Sequence, residues 1–269
     1  MSTTNAEDVV DVAHASDPIR IVPLHVPEAL LAPLAAAPVP APHLTYRGGP
    51  LLTDVKVFTV YWGAPWQTDP QLLQMATKLD QFFGYVLTSP LLDQMAEYSQ
   101  GDQAIGHGSW IGRTIVTAPA PQHVVSDAKI QHLITRELAA ANGGVPAPDA
   151  NTLYFVYLPP GVAVVQGGDR SCQAFCGYHN NFTQGGIDIF YATMPYPGCQ
   201  GCTGNLAPFD ALTSTSSHEL CEAVTDPIPG QGWYDDVHGE IGDICAWKTK
   251  KLGAYTVQLE WSNNAAACL

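Results

Sequence analysis

The fold is decided by a strongly β-forming stretch, Val55-Lys56-Val57-Phe58-Thr59-Val60-Tyr61-Trp62. Its apolar and β-branched side chains are typical of a buried strand. Asp69-Pro70 follows soon afterwards, and Pro70 suits the first turn of a helix that we expect to run to about Leu87. The chain therefore passes directly from a strand to a helix.

Helices and strands continue to alternate beyond this point. Ser89-Pro90 predicts a short second helix, and Ser126-Asp127 predicts the start of a third helix that ends at Asn142-Gly143-Gly144. Residues 152–158 and 187–191 predict two further strands. This order predicts an α/β or α+β fold, in which helices pack on a mixed sheet. The 24 glycines and 22 prolines predict many turns, and we expect a loop-rich C-terminal part.

The first 42 residues differ in composition from the rest. They contain Ala35-Ala36-Ala37-Pro38-Val39-Pro40-Ala41-Pro42 and have no helical period. We expect residues 1–42 to form a flexible Ala/Pro-rich tail, or else a propeptide or a strap across the body. Residues 43–269 then form a single domain, and the hydrophobic content of 46% supplies enough material for its core.

The chain is acidic, with a formal net charge of -14. Such a surface repels phosphate backbones, so nucleic acid is not expected as a partner. No apolar run is long enough to predict a membrane span. The apolar stretch from Ala29 to Pro42 is short, broken by prolines and preceded by acidic residues, so it does not predict a clear secretory signal.

Seven cysteines lie in the C-terminal part, at positions 172, 176, 199, 202, 221, 245 and 268. Together with the scarcity of lysine they favour a secreted or extracytoplasmic protein with disulfide bonds. Cys172, Cys176, Cys199 and Cys202 permit either two disulfides or a four-thiolate zinc site, and spacing leaves the connectivity open. We expect Cys245 to pair with Cys268 and Cys221 to remain a buried free thiol.

The candidate site begins on a helix predicted over residues 213–225. Ser and Thr residues offer an N-cap, and Asp226-Pro227 ends the helix. His218 and Glu222 lie one helical turn apart on the same face, so both can bind one metal ion. Glu219 lies next to His218, where it can reach a water on that ion. The pattern is the zinc-peptidase motif H-E-x-x-H with Glu222 in place of the second histidine.

Further ligands are expected from the acidic glycine-containing loop that follows. Glu240 is the predicted third ligand, and Asp243 is predicted either as a ligand or as the group that orients His218. Asp226 and His238 are less favoured candidates. The expected ion is Zn²⁺, with Ca²⁺ as the alternative because the added carboxylate favours harder cations.

The predicted chemistry is metal-assisted hydrolysis of a peptide or protein substrate. The ion activates a water, and Glu219 accepts its proton as general base. Tyr234 is the predicted stabiliser of the oxyanion, with His179 as the alternative. Residues 43–269 are then a metallohydrolase-like domain. There are two alternatives. One is a carbohydrate-active protein that uses Asp235 and Glu240, and the other is an extracellular protein with a structural ion.

Two family resemblances accompany these residues. The helix around His218-Glu219 resembles that of zincin metallopeptidases, although the later Gly and third His of metzincins are missing. More broadly, the chain resembles bacterial and fungal relatives of the plant EXORDIUM (phosphate-induced) proteins. The matching segments are residues 46–52, 60–63, 176–179, 191–192, 224–227 and 232–234, with Cys199 and Cys202. This resemblance implies an extracellular protein linked to cell-wall growth, for which a cell-wall polymer is a possible partner.

Overall fold

The computed structural model describes residues 21–26, 40–140 and 144–269. The strands are β1 (Val22–Pro23), β2 (Thr45–Tyr46), β3 (Lys56–Trp62), β4 (Ser109–Val116), β5 (Val124–Ser126), β6 (Thr152–Tyr157), β7 (Ala163–Gln166), β8 (Asp169–Arg170), β9 (Phe175–Gln184), β10 (Ile187–Met194), β11 (Trp233–Tyr234), β12 (Thr249–Leu252), β13 (Tyr255–Gln258), β14 (Trp261–Ser262) and β15 (Ala267–Cys268). The helices are α1 (Pro65–Thr68), α2 (Pro70–Val86), α3 (Pro90–Met95), α4 (Asp127–Ala139), α5 (Gln200–Thr203) and α6 (Pro208–Thr225).

A six-stranded mixed sheet organises the fold, in the order β1-β9-β10-β6-β3-β4. Strands β10, β6, β3 and β4 are parallel, whereas β9 and β1 are antiparallel to their neighbours. The predicted class, a mixed sheet with packed helices, is therefore confirmed. The smaller ribbons β2–β11, β12–β13 and β14–β15 belong mostly to the C-terminal part.

Helices cover both faces of this sheet. On one face α2, α3 and α6 pack against alternate residues of the central strands, including Leu153 and Phe155. On the other face α4 packs against the intervening residues, including Tyr154 and Val156. Every residue of β6 is buried, as expected for a parallel strand covered on both sides. Side chains on the α6 face of β9 and β10 are thus enclosed between sheet and helix.

Several predicted elements have different bounds in the structure. Helix α6 begins at Pro208 rather than Thr213, because Pro208 starts the helix and the Ser/Thr run lies inside it. Residues 255–262 form two short strands, β13 and β14, in the loop-rich C-terminal part. Helix α4 ends at Ala139, and residues 142–143 of its predicted end lie outside the described part of the chain.

Part of the predicted N-terminal tail is bound to the body. Val22–Pro23 pairs with β9, and the Trp247 indole Nε1 donates to the Pro23 carbonyl at 2.8 Å. His25 N–H donates to the Gly201 carbonyl at 2.7 Å. Residues 21–26 therefore lie across the body as a strap, while residues 1–20 and 27–39 are outside the described residues.

Three disulfides are formed, Cys172–Cys199, Cys176–Cys202 and Cys245–Cys268. The first two exclude the alternative of a four-thiolate zinc site, because all four sulfurs are consumed in covalent bonds. The expected pairing of Cys245 with Cys268 and the buried free thiol of Cys221 are confirmed. Within the described residues, every helix is too short or too polar to cross a lipid bilayer.

Candidate metal centre

Helix α6 lies at the centre of the site and is buried on all sides from Ala211 to Thr225. Two hydroxyl side chains of the helix form hydrogen bonds with the backbone of β13. The Thr213 hydroxyl donates to the Thr256 carbonyl at 2.8 Å, and the Ser217 hydroxyl accepts from the Gln258 N–H at 2.9 Å. These bonds join α6 to β13 along its length. The helix is therefore fixed in rotation, which aims His218, Glu219 and Glu222 at fixed positions.

The loop after α6 returns the chain to the same helix. The Asp226 carboxylate accepts hydrogen bonds from the backbone N–H groups of Gly230, Gln231 and Gly232. This closes the turn that follows the helix and directs the later acidic segment back towards α6. Both oxygens of Asp226 are thus engaged in this turn, and its role as a less favoured ligand candidate stays a prediction.

One group of candidate ligands, the His218 set, consists of His218, Glu222 and Asp243. His218 Nε2 lies 2.8 Å from Glu222 Oε1 and 3.9 Å from Asp243 Oδ1. Nε2 and Glu222 Oε1 form an ion pair when the ring is protonated, and Nε2 has no further hydrogen-bond partner among the described residues. The Asp243 N–H donates to Glu222 Oε1 at 3.2 Å, which holds the loop on the helix. Three of the four predicted metal ligands are therefore brought together.

Gln258 contacts the other nitrogen of His218. Its Nε2 lies 2.8 Å from His218 Nδ1 and donates to the Gly242 carbonyl at 2.9 Å, while its Oε1 accepts from the Trp247 N–H at 3.2 Å. These backbone groups fix the orientation of the amide. Gln258 thus presents an N–H to His218 Nδ1, which places the proton of a neutral His218 ring on Nε2.

A second group, the His179 set, consists of His179, Glu219 and Glu222. His179 lies on β9, and its Nδ1 is 3.1 Å from Glu219 Oε2 and 3.5 Å from Glu222 Oε2. Its Nε2 lies 3.1 Å from the Asp226 carbonyl. The two sets share Glu222, with Oε1 facing His218 and Oε2 facing His179. The sequence raised His179 only as an alternative oxyanion group.

Glu240, the predicted third ligand, lies on the far side of His179. Its Oε1 is 3.5 Å from His179 Nε2, and both carboxylate oxygens are buried without a hydrogen-bond partner in the described part of the chain. Its backbone N–H donates to Asp243 Oδ2 at 3.0 Å. Glu240 thus joins the cluster but belongs to neither ligand set.

Burial and mutual repulsion shift the ionisation of these groups. Burial raises the pKa of Glu240 and Asp243 well above its usual range, and the nearby Glu222 carboxylate raises it further. Burial also raises the pKa of Glu219. Burial opposes ionisation of Glu222 as well, but the two imidazoles outweigh it and lower the Glu222 pKa to about 2.

The pKa values of both imidazoles are raised. Burial alone lowers the pKa of His179, but its interactions with the carboxylates of Glu219 and Glu222 raise it to about 10. The pKa of His218 is raised well above its usual value, because Glu222 outweighs the effect of burial. Without a cation, the cluster is therefore neutralised by its own protons.

The charge arrangement favours a cation. Four carboxylates, those of Glu219, Glu222, Glu240 and Asp243, meet two imidazoles in the interior. No Lys or Arg forms an ion pair with them among residues 21–26, 40–140 and 144–269. Buried carboxylates are costly unless they are paired or coordinate a metal. The donor set of imidazole nitrogen and carboxylate oxygen fits Zn²⁺.

The remaining predicted residues lie in different surroundings. Tyr234 belongs to the β2–β11 ribbon, where the Arg47 guanidinium stacks 4.5 Å from its ring centre. His238 Nδ1 contacts Asp235 Oδ1 at 3.0 Å in the turn after β11. Asp235 also accepts from backbone N–H groups of that turn. The catalytic role of Tyr234 stays a prediction.

Comparisons with known proteins give no relative from which a function can be transferred. No family model matches this chain, and neither a curated protein nor a solved structure matches it.

Proposed function

We propose that this chain is a metal-dependent hydrolase that acts on peptides, with Zn²⁺ as the expected ion. The observation that carries the proposal is the convergence of imidazole and carboxylate atoms that are buried and lack hydrogen-bond partners among the described residues. These include His218 Nε2, Glu222 Oε2 and Asp243 Oδ1. A polar atom left unpaired in a protein interior calls for an explanation, and a bound water or ion is one.

Glu222 is the central ligand in this proposal, with His218 and Asp243 as its predicted partners. Ligation through His218 Nε2 requires the ring proton to reside on Nδ1, and hence requires the Gln258 amide to turn its Oε1 towards that nitrogen. When bound, the ion supplies a Lewis acid that polarises a carbonyl and activates water. Glu219, adjacent to His218 on α6, accepts the proton and delivers it to the leaving amine.

A structural ion is the second candidate, and one observation favours it. His179, His218, Glu219, Glu222 and Glu240 are all fully buried, so the cluster is enclosed on every side. A closed site that saturates its ion is typical of structural metal centres, whereas a catalytic centre keeps a position open. In that case either Zn²⁺ or Ca²⁺ stabilises the fold without chemistry.

The three disulfides are compatible with an extracytoplasmic location. We extend the proposal to a secreted protein related to the EXORDIUM-like proteins, with a cell-wall polymer as an alternative partner. The support for this extension is the set of matching sequence segments described above.

The variant Glu219→Gln tests the hydrolase proposal. It preserves the shape of the side chain but cannot act as a base, so we expect zinc-reconstituted protein to hydrolyse a peptide library about 10²–10⁴-fold more slowly. The control is Glu137→Gln, on α4 at the opposite face of the sheet, which should retain full activity.

The outcomes separate the two candidates. Equal rates for the wild type and Glu219→Gln would exclude Glu219 as the base. A wild-type protein that binds zinc and is stabilised by it, yet cleaves no peptide in the library, would favour the structural ion.

A further inference from the structure

His179 is oriented by a backbone acceptor in the way that metal-binding histidines are. The Asp226 carbonyl, 3.1 Å from Nε2, can only accept a hydrogen bond, so Nε2 carries the ring proton. A neutral His179 then presents the lone pair of Nδ1. A ring whose second nitrogen donates to a backbone carbonyl is the usual arrangement of a histidine ligand.

The atoms that face Nδ1 are acceptors as well. Glu219 Oε2 lies at 3.1 Å and Glu222 Oε2 at 3.5 Å, and all three ligand atoms lie within 4.8 Å of one another. Glu222 Oε2 has no hydrogen-bond partner in the described part of the chain, and both carboxylate side chains are fully buried. Three atoms that converge in this way need a positive species between them: a proton on Nδ1 in the metal-free cluster, or a metal ion in the place of that proton.

The spacing of these atoms suits a metal ion. Ligand atoms about 2.0–2.1 Å from a tetrahedral zinc lie about 3.3 Å apart. The distances from His179 Nδ1 to Glu219 Oε2 and Glu222 Oε2, 3.1 and 3.5 Å, lie on either side of this value. The corresponding contacts of the His218 set, 2.8 and 3.9 Å, depart further from it. Gln258 also presents an N–H to His218 Nδ1, whereas His179 needs no rearrangement of its hydrogen bonds.

The charge of the His179 set balances one divalent cation. The two carboxylates contribute two negative charges and the neutral imidazole none, so a single M²⁺ makes the group neutral. One nitrogen and two oxygen donors favour Zn²⁺ over Ca²⁺, which prefers oxygen ligands alone.

We propose that a divalent cation, Zn²⁺ by its donor set, binds between His179 Nδ1, Glu219 Oε2 and Glu222 Oε2. This position is separate from the His218 set and shares only Glu222 with it. The inference deepens the proposed metal centre: the imidazole ligand is His179 on β9, whose tautomer already suits metal binding, rather than His218 on α6. Glu219 then serves as a ligand in the His179 set, and it acts as base only toward an ion bound in the His218 set.

The test compares His179→Ala with His218→Ala in full-length protein stripped with a chelator and titrated with Zn²⁺. We expect His179→Ala to weaken zinc binding at this position by at least 100-fold and to lower the bound zinc by one equivalent. His218→Ala should keep the ion of the His179 set. Circular dichroism and thermal unfolding verify that each variant is folded.

A crystal of the wild type soaked in zinc gives an answer that does not depend on variants. An anomalous peak at the zinc edge between His179, Glu219 and Glu222 supports the inference. A peak found only between His218, Glu222 and Asp243, or wild-type zinc binding by folded His179→Ala, overturns it.

The inference and the proposed hydrolase can fail independently. Zinc in the His179 set together with no hydrolysis of the peptide library would leave the inference standing and remove the hydrolase. Hydrolysis with zinc bound only in the His218 set would support the hydrolase and overturn the inference.

Discussion

Gly242 approaches the His218 ring so closely that a larger residue cannot be accommodated without movement. A Cβ at this position would lie 2.8 Å from His218 Cγ and Nδ1 and 2.9 Å from Glu222 Oε1. The backbone of this loop can approach His218 so closely only because position 242 carries no side chain. Gly242 is therefore required for the loop to pack against His218 and Glu222.

We expect Gly242→Ala to weaken zinc binding at least 10-fold, because the added methyl displaces the ring of His218 and the carboxylate of Glu222. Overpacking should also lower the free energy of unfolding by about 1–3 kcal/mol. Zinc titration and denaturant unfolding measure the two effects.

A suitable control is Gly84→Ala in α2, where no heavy atom lies within 4 Å of the added Cβ. This change should leave zinc binding unaltered and raise the free energy of unfolding by about 0.5–1 kcal/mol. Unaltered zinc affinity in Gly242→Ala would contradict the assigned position of Glu222 in the centre.

The sequence predicted five of the six clustered side chains as site residues and raised the sixth, His179, only as an alternative oxyanion group, for a geometric reason. His218 and Glu222 are one helical turn apart, so local spacing alone brings them together. His179 lies on a strand, and its contact with Glu219 depends on how α6 packs across the sheet. The segment Cys176-Gly177-Tyr178-His179 was a visible signal, but spacing along the chain gave no indication that His179 meets the helix.

At the scale of elements, the packing of α6 on β9 sets the relation between the two ligand sets. Gly177 lies where the helix crosses the strand, and a Cβ there would meet Thr215 Cγ2 at 2.7 Å and the Met194 methyl at 3.0 Å. Glu219 Oε1 would be 3.4 Å away. Strand β9 carries Gly177 and His179 on the same face, since they are two residues apart.

We expect Gly177→Ala to push α6 away from β9 and to lower the free energy of unfolding by about 1–3 kcal/mol. Zinc affinity should fall because His179 is separated from Glu219 and Glu222. Denaturant unfolding and zinc titration measure both effects, again with Gly84→Ala as control. A destabilised Gly177→Ala protein that binds zinc normally would show that the helix–strand distance does not govern the site.

Some elements could be predicted from the sequence because their signals are local. Asp69 accepts hydrogen bonds from the N–H groups of Gln71 and Leu72, and the predicted start of α2 at Pro70 is confirmed. Strand β9 was not predicted, since Phe175–Gln184 contains Asn, His and Gln and has no apolar run. Its place in the sheet depends on pairing with β10, a tertiary contact that overrides local propensity.

For the whole molecule, the proposed metal binding would link stability to the concentration of the ion. An ion that binds only the folded state, at 100 times its dissociation constant, adds about 2.7 kcal/mol to the free energy of unfolding. For a chain of this size, each kcal/mol added to the free energy of unfolding raises Tm by about 2–4 °C. We therefore expect zinc to raise Tm by about 5–10 °C above the value in excess chelator, as measured by calorimetry.

Glu222→Gln is the matched control for this shift, because Glu222 is common to both ligand sets. Its Tm should respond little to zinc or chelator. A wild-type Tm that is the same with zinc and with chelator would mean that the cluster binds no ion in the folded state.

The unpaired Cys221 has a consequence for how the protein unfolds. Burial raises the pKa of this thiol well above its usual range, and Glu260 raises it further, so the folded chain holds no reactive thiolate beside its three bridges. Once α6 opens, that thiol becomes accessible and can attack any of the disulfides, in the same chain or in another. Heating above neutral pH should then produce chains with rearranged disulfides and chains cross-linked to one another. The apparent Tm should consequently depend on the scan rate. A serine at position 221 would make the transition reversible enough for equilibrium thermodynamics.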